Sequence, residues 1–527
     1  MTDTTGAHSG GARPPVLPGP PGPPGPPGSP GDPTAGDDRL RRTLTTPKIA
    51  FLIVSAAAPL GALVGTVPLA FALGSGPGVP ATFVLAGLTL LCFSVGYAAI
   101  SRRVVNAGGF YTYVAQGLGR VPAVGGGWIA LLAYNAATIG VTGAFAYFAQ
   151  LVAASHGLDL RWELWAAAGI AVTAALGYRQ IDISARVVAV LLVAEVGILI
   201  ALDVAILARD GTAALPATAF APDTVFGPGL GVSLMFAFVS YIGFESAALY
   251  GEEARDPERS VPRATYLAVV AISVFYALTS WLVVGAVGAG NVRASATEQL
   301  GDLFFQLSDD YLVSAATTVM QVLLCTSLLA GMLALHGAAV RYLFVLGRER
   351  LLPTGLGAVH PRHGAPHRAS LVQSGLTVVV VAAFAVAGLD PYVSLATSML
   401  GLGTVAIIVL QALAGVAVLG YCWRHPAERR PGVVVASLAG VAGLTAAAVL
   451  VVGNFSVMTG TTNAAITSLP WLVLVAAVGG TAHAWWLRRA RPQRFAALAR
   501  QPATDHPASD DGPADQSTVS PVSAASV

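Results

Sequence analysis

Two carboxylic acids interrupt long apolar stretches of this sequence. Glu195 lies within the run LLVAEVGI (191–198), and Glu245 ends the segment FVSYIGFE (238–245). An ionised acid at the centre of a bilayer costs roughly 2.5–3.5 kcal/mol on insertion scales, so such residues face a protein interior. We predict coupling or gating roles for both. The alternatives are a neutral structural acid at Glu195 and a helix cap at Glu245.

Three further groups of polar side chains lie in apolar stretches. Tyr134 and Asn135 form a polar pair that we expect to line a binding site or to hydrogen-bond a neighbouring helix. Thr326 and Ser327 form a candidate sodium site, and the alternative is that their hydroxyls bond to their own helix. Asp203 lies nearer the end of its stretch, where we expect an interfacial position.

Two of the apolar stretches carry helix-breaking residues. The first contains Pro59 and Pro68 with small residues between them, and another contains Gly243 beside polar groups. Free backbone N–H groups at the start of a half-helix can hold a carboxylate, and free carbonyls at an end can hold an ammonium group. The pair of breaks therefore suits an α-amino acid. The alternative is close helix packing through small residues.

The overall composition indicates the class of protein. Of 527 residues, 55% are hydrophobic and 11% charged, where soluble proteins carry about 25% charged residues. This balance excludes an ordinary soluble enzyme, and a net charge of +2 leaves no basic field for nucleic acid. Three cysteines exclude a disulfide scaffold. The composition is that of an all-α polytopic membrane protein with polar tails.

About twelve membrane-spanning helices are predicted from the uncharged runs, because a helix needs about 20 apolar residues to cross the hydrocarbon core. The predicted spans are 49–73, 80–101, 122–153, 162–178, 187–208, 228–250, 261–289, 311–345, 370–388, 392–418, 432–453 and 468–488.

The distribution of basic residues predicts the orientation of these spans. With the N-terminus in the cytoplasm, 25 Lys and Arg residues fall in or beside inside segments and 3 in outside segments. That bias is typical of the positive-inside rule. We therefore expect a multi-pass protein of the cytoplasmic (plasma) membrane with both termini cytoplasmic. Residues 1–46 and 491–527 are predicted as disordered cytoplasmic tails, the first rich in Pro and Gly, around a transmembrane domain of residues 47–490.

Several of these segments resemble a known family. Residues 238–245 with the following loop 251–264 look like the sixth helix and exit loop of the amino acid–polyamine–organocation (APC) permeases. Residues 61–66 resemble the glycine-rich break in that family's first helix, and residues 334–353 resemble its eighth helix and exit loop. The resemblance covers roughly residues 45–490. It implies a LeuT-like fold, with five plus five inverted helices followed by two, and with helices one and six unwound.

The resemblance also implies a binding site for amino acids or related amines. The helix-one positions would hold a substrate carboxylate through backbone N–H groups, and the helix-six positions would offer carbonyls to the amino group. Phe238 or Tyr241 would gate the site or form a wall of the side-chain pocket. The implied substrate-binding residues are Gly61, Ala62, Leu63, Gly65, Thr66, Phe238, Ser240, Tyr241 and Ile242, to which the polar pair Tyr134 and Asn135 is added.

The coupling ion is left open at this stage, as H⁺ or Na⁺. Proton-coupled members of the family often carry a lysine in span five, whereas this chain has Glu195 there and its one lysine is Lys48. No cofactor and no resident metal are expected. Motifs of membrane enzymes and of ATP binding are absent from the sequence, and the spans lack the polar stripe of a channel.

The sequence therefore predicts a secondary amino acid or amine permease that works by alternating access, and it leaves uniport, ion-coupled symport and exchange open. A membrane-embedded sensor and a transporter of polyamines or organic cations remain alternatives. The expected partners are a small-molecule substrate and membrane lipid, and the oligomeric state is left open.

Overall fold

The structure, a computed structural model, describes residues 44–102, 109–179, 185–245, 254–426, 429–461 and 463–499. In this part of the chain the regular secondary structure is helical, and one isolated bridge joins Leu44 and Ala254. A π-helical turn at Pro391–Ala396 precedes α15. The helices are α1 Thr46–Ala56, α2 Pro59–Leu73, α3 Val79–Ser101, α4 Gly109–Leu118, α5 Arg120–Ser155, α6 Trp162–Arg179, α7 Ala185–Asp210, α8 Pro222–Val225, α9 Leu230–Val239, α10 Pro257–Val287, α11 Val292–Gln299, α12 Leu303–Tyr311, α13 Ser314–Arg348, α14 His367–Val386, α15 Thr397–Arg424, α16 Pro431–Gly453, α17 Phe455–Thr459, α18 Ala464–Thr467, α19 Trp471–Ala490 and α20 Pro492–Ala497.

The length and apolarity of these helices confirm a polytopic membrane protein. In the described part of the chain, nine segments are long and apolar enough to cross a membrane. They coincide with nine of the predicted spans. The other three predicted spans coincide with α6, α9 and α19, which are shorter or less apolar. The all-helical architecture thus follows from the hydrophobic runs, because a helix needs about 20 apolar residues to cross a bilayer.

The long helix α5 lies at the centre of the packing, against α13, α15 and α19. Its middle is rich in Gly and Ala, which let neighbouring helices approach closely. The peripheral helices α7, α14, α16 and α19 instead expose valines and leucines, such as Val190, Val379 and Val435. Large apolar side chains exposed along whole helices indicate surfaces that face lipid.

The C-terminal boundary of the folded part lies beyond the predicted one. Residues 491–499, predicted as the start of a disordered tail, form α20 and a short extension whose Leu498 is buried. Arg120 Nε donates a 2.9 Å hydrogen bond to the Leu498 carbonyl, and the Ala499 N–H donates a 3.0 Å bond to Glu349. The polar composition of this segment concealed these contacts. The remaining tail residues and the loop positions 251–253 lie outside the described residues.

Candidate functional site

The first span is interrupted between α1 and α2. Helix α1 ends at Ala56, Ala58 adopts the left-handed conformation with φ 45°, and Pro59 begins α2. Proline disfavours a helical conformation in the residue before it and lacks an N–H, so it suits a helix start. The interruption therefore lies at Ala57–Ala58.

This position corrects the predicted opening at residues 61–66. Gly61, Ala62, Leu63, Gly65 and Thr66 all lie within α2, which also continues through Pro68. The Ala62 N–H already bonds to the Ala58 carbonyl at 2.8 Å. Since Pro59 has no N–H, the backbone donors left at the start of α2 are those of Leu60 and Gly61.

Those donors meet a side-chain network from two other spans. The Gly61 N–H donates a 3.3 Å hydrogen bond to Ser327 Oγ on α13, and Ser327 Oγ donates a 2.8 Å bond to Glu195 on α7. The backbone N–H of Leu60 also interacts with the Glu195 carboxyl. Glu195, which is 5% exposed, therefore occupies the N-terminus of α2, where the positive end of the helix dipole favours an anion.

The sixth span is interrupted after α9. Helix α9 ends at Val239, and the chain turns through Gly243, whose φ is +111°. A Cβ at Gly243 would lie 3.1 Å from the carbonyl oxygen of Ala56. The two interruptions therefore touch each other, and they fall in the first and sixth of the twelve segments, as an inverted five-plus-five repeat requires.

Glu245 caps the turn in the sixth span. Its Oε2 accepts a 3.0 Å hydrogen bond from the Gly243 N–H, and its Oε1 accepts a 2.7 Å bond from the Tyr134 hydroxyl. Its carbonyl accepts a 2.8 Å bond from the Tyr97 hydroxyl. The predicted residues Tyr134 and Glu245 are thus brought together, and the Glu245 carboxyl holds the turn at Gly243.

The remaining helix-one and helix-six residues divide into two groups. The hydroxyls of Thr66 and Ser240 lie 3.3 Å apart, so these two predicted residues do meet. Tyr241 instead points away, because its hydroxyl lies within hydrogen-bond distance of the Phe83 carbonyl (3.0 Å) and of Ser273 Oγ (2.7 Å). These contacts hold Tyr241 against α3 and α10. Phe238 and Ile242 are buried.

The side chains of the polar residues Asn135 and Thr326 bond to the backbone of their own helices. The Asn135 amide donates a 2.6 Å bond to the Leu131 carbonyl of its own helix. The Thr326 hydroxyl likewise bonds to Leu323 at 2.9 Å. Thr326 and Ser327 therefore do not converge as a pair of cation ligands, and Ser327 alone joins the network at α2.

Comparison with known families decides the identity of the fold. A family model described as amino acid permease matches residues 44–479. The chain belongs to the amino acid permease family. The APC resemblance is thereby confirmed, and the matched range contains both interruptions and both buried glutamates.

The permease is similar to relatives that are named for different substrates. It is 26% identical to a methylthioribose transporter of Bacillus subtilis, over 71% of this chain and 80% of the relative. It is 24% identical to the branched-chain amino acid permease BcaP of Bacillus subtilis, over 72% and 83%. It is 24% identical to the low-affinity putrescine importer PlaP of Escherichia coli, over 74% and 83%.

Tyrosines near the two interruptions were missed in the sequence. Tyr97 bonds to Glu245, and Tyr342 stacks on Tyr134 with ring centroids 5.4 Å apart. Tyr392 donates a 3.2 Å hydrogen bond to the Gly65 carbonyl of the permease. Buried tyrosines usually have hydrogen-bond partners for their hydroxyls. The occurrence of tyrosines inside apolar runs is therefore the sequence signal that would have indicated these contacts.

Proposed function

We propose that this permease is a secondary carrier that moves amino acids or related amines by alternating access, coupled to protons. The observation that carries the proposal is the contact between the two interruptions, with Glu195 seated on the backbone donors of α2. A break in each half that meets near the middle of the membrane is the arrangement that transporters use for substrate binding.

The position of Glu195 suggests how a proton would couple to substrate. A substrate carboxylate would compete with the Glu195 carboxylate for the N–H of Leu60, and with Ser327 Oγ for the N–H of Gly61. Protonation removes the charge of Glu195 and weakens its hold on the helix dipole. Binding of H⁺ would therefore free these donors for the substrate, so that proton and amino acid bind together. The Ser327 hydroxyl, predicted as a sodium ligand, instead donates a hydrogen bond to Glu195. This supports H⁺ rather than Na⁺ as the coupling ion.

A carrier of polyamines or organic cations is the second candidate. Among the described residues, Glu195 and Glu245 form no ion pair with Lys or Arg, so both acids could attract an ammonium group. The relatives of this chain include both a protein named as a branched-chain amino acid permease and one named as a putrescine importer. These two chemistries make opposite demands on α2, because a diamine has no carboxylate to compete with Glu195.

Counterflow in proteoliposomes tests the proposal. Vesicles preloaded with unlabelled leucine or putrescine should accumulate the same labelled compound, since a carrier exchanges its substrate across the membrane. With an amino acid substrate, Glu195→Gln should retain counterflow and lose uptake driven by a pH gradient. Binding of either compound without counterflow would instead support the sensor alternative, and unchanged pH-driven uptake in Glu195→Gln would exclude its coupling role.

The membrane and orientation form part of the same proposal. We place the protein in the cytoplasmic membrane with both termini inside, on the strength of the 25-to-3 bias of basic residues. Reporter fusions at the C-terminus and after α16 test this, because the two positions should give opposite readings.

A further inference from the structure

A second buried acid lies on the same helix as Glu195. Asp203 was expected at the membrane interface, yet it is only 7% exposed. Its Oδ2 accepts a 2.7 Å hydrogen bond from Thr279 on α10, while its Oδ1 is buried without a partner among the described residues. A buried carboxyl with one oxygen unpaired is uncommon, and that oxygen can still bind a proton or accept a hydrogen bond.

Asp203 and Glu195 share the buried side of α7. Leu199, Leu202 and Ile206 are fully buried on that side. Eight residues separate the two acids, which corresponds to about 12 Å along the helix axis. On the side that the basic residues assign to the exterior, Asp203 therefore precedes Glu195 along the interface of α7 with α10.

A tyrosine lies between them on the facing helix. Tyr276 is fully buried, and its hydroxyl has no partner among the described residues. It precedes Thr279 by about one turn on α10, so its level along the helix axis lies between those of Asp203 and Glu195. Tyr276 thus offers, at a level between the two acids, a hydroxyl that can both donate and accept a proton.

The charges around Asp203 do not neutralise it. The nearest arginine along α7 is Arg209, which donates a 2.9 Å bond to the Asp310 carbonyl and lies over the Tyr311 ring. Helix α2 and the turn 211–214 carry no titratable side chain. The helices packed around Asp203 carry other titratable side chains in their middle and outer parts. These are Glu195, Arg209 and Asp210 on α7, Tyr276 on α10, Asp309, Asp310 and Tyr311 on α12, and Cys325 on α13. Lys48 and the charged ends of α10 and α13 lie at the opposite side.

We propose that Asp203 is a second proton-binding site, which takes up H⁺ from the exterior and delivers it to Glu195 through the Tyr276 hydroxyl and bridging water. In this transfer the Asp203 carboxyl becomes a carboxylate and the Glu195 carboxylate becomes a carboxyl. Tyr276 gives one proton and receives one, so it is unchanged. The proposal rests on the proton-coupled function given above and adds to it the route by which the proton arrives.

Infrared difference spectroscopy of the purified protein tests the site without any substrate. A pH change should alter the carbonyl band of a protonated buried carboxyl, and Asp203→Asn should remove one such band. Asp210→Asn is the matched control, since Asp210 lies on the same helix and bonds to Tyr311 at 2.5 Å; it should leave that band in place. A spectrum unchanged in Asp203→Asn overturns the proposal.

Transport in proteoliposomes tests the route, with labelled leucine as probe, or labelled putrescine where leucine gives no counterflow. Asp203→Asn should retain counterflow, which shows that the variant is folded, and should slow uptake driven by a pH gradient by about a hundredfold. Asp203→Glu should restore much of that uptake. Wild-type rates in Asp203→Asn overturn the route. If neither probe shows counterflow in the wild type, the proposed function fails, while the infrared band still decides whether Asp203 binds a proton.

Discussion

Ser327 donates a 2.8 Å hydrogen bond to Glu195 while it accepts a 3.3 Å bond from the backbone N–H of Gly61. One hydroxyl therefore links α13, α7 and the first turn of α2. This link joins a titratable acid, through one hydroxyl, to the backbone that adjoins the first interruption, so the protonation state of the acid and the geometry of the interruption depend on each other.

Replacement of Ser327 should weaken this link. Ser327→Ala leaves the Gly61 N–H and one Glu195 oxygen without this partner, which should lower the free energy of unfolding by about 1–3 kcal/mol. It should also shift the pH at which pH-driven uptake is half-maximal. Thr326→Val is the matched control, because the Thr326 hydroxyl bonds only to its own helix. Equal effects of the two variants would contradict the network.

Tyr134 and Glu245 should be energetically coupled. A double-mutant cycle of Tyr134→Phe and Glu245→Gln should give an interaction energy of about 0.5–3 kcal/mol, since the residues share a buried hydrogen bond. The measurement is thermal or denaturant unfolding in detergent. Tyr241→Phe combined with Glu245→Gln should be additive, because Tyr241 bonds to Phe83 and Ser273 instead. Additivity in the first cycle would show that the Tyr134–Glu245 hydrogen bond contributes no interaction energy to stability.

The contact at Gly243 should not tolerate a side chain. Gly243→Ala places a methyl group 3.1 Å from the Ala56 carbonyl oxygen at a φ of +111°, and we expect a loss of about 1–3 kcal/mol in stability. Transport should fall with it. Gly375→Ala on α14, where an added Cβ meets nothing within 4 Å, should be neutral or should stabilise the helix by up to about 1 kcal/mol. Similar stabilities of the Gly243→Ala and Gly375→Ala variants would argue against close packing between Gly243 and Ala56.

The partly buried carboxyl of Glu349, one residue beyond the end of α13, gives a prediction about the pH dependence of stability. Burial raises the pKa of its carboxyl above the ordinary value of 4.5, an effect opposed by hydrogen bonds from the Tyr111 hydroxyl and the Ala499 N–H. The folded protein therefore binds this proton more tightly than the unfolded chain does. Its contribution to stability should fall as pH rises from 4.5 through the higher folded-state pKa.

Glu349→Gln should remove that part of the pH dependence. The difference in melting temperature between variant and wild type should therefore grow in favour of the variant across this pH window. Glu298→Gln, which alters an exposed acid on α11, should follow the wild-type curve. A Glu349→Gln curve parallel to the wild type would show that burial does not perturb this group.

The spans could be predicted because hydrocarbon thickness fixes their length and lipid excludes charge. The position of the first interruption could not, because small residues at 61–66 are compatible with helix and with unwinding alike. Pro59 decided between them by starting α2. The direction of side chains was also beyond the sequence. Thr326 and Ser327 are adjacent and point about 100° apart, so only one could face Glu195, and periodicity in an apolar run does not say which.

Asp203 illustrates the same limit in another way. Its distance from the middle of the apolar run suggested an interface, and only the packing of α10 shows that it is covered. Tyr241 shows the converse, since a tyrosine within a functional motif serves to fasten that segment to α3 and α10.

The direct contact of Gly243 with Ala56 has a consequence for affinity. A ligand that enters between the two interruptions must first part them, so a share of its binding free energy is consumed by that separation. The measured dissociation constant will then understate the strength of the contacts, in proportion to how rarely the parted state forms on its own. The tightest inhibitors of this carrier should accordingly be compounds that hold the parted state open, even where they make fewer contacts than the substrate does.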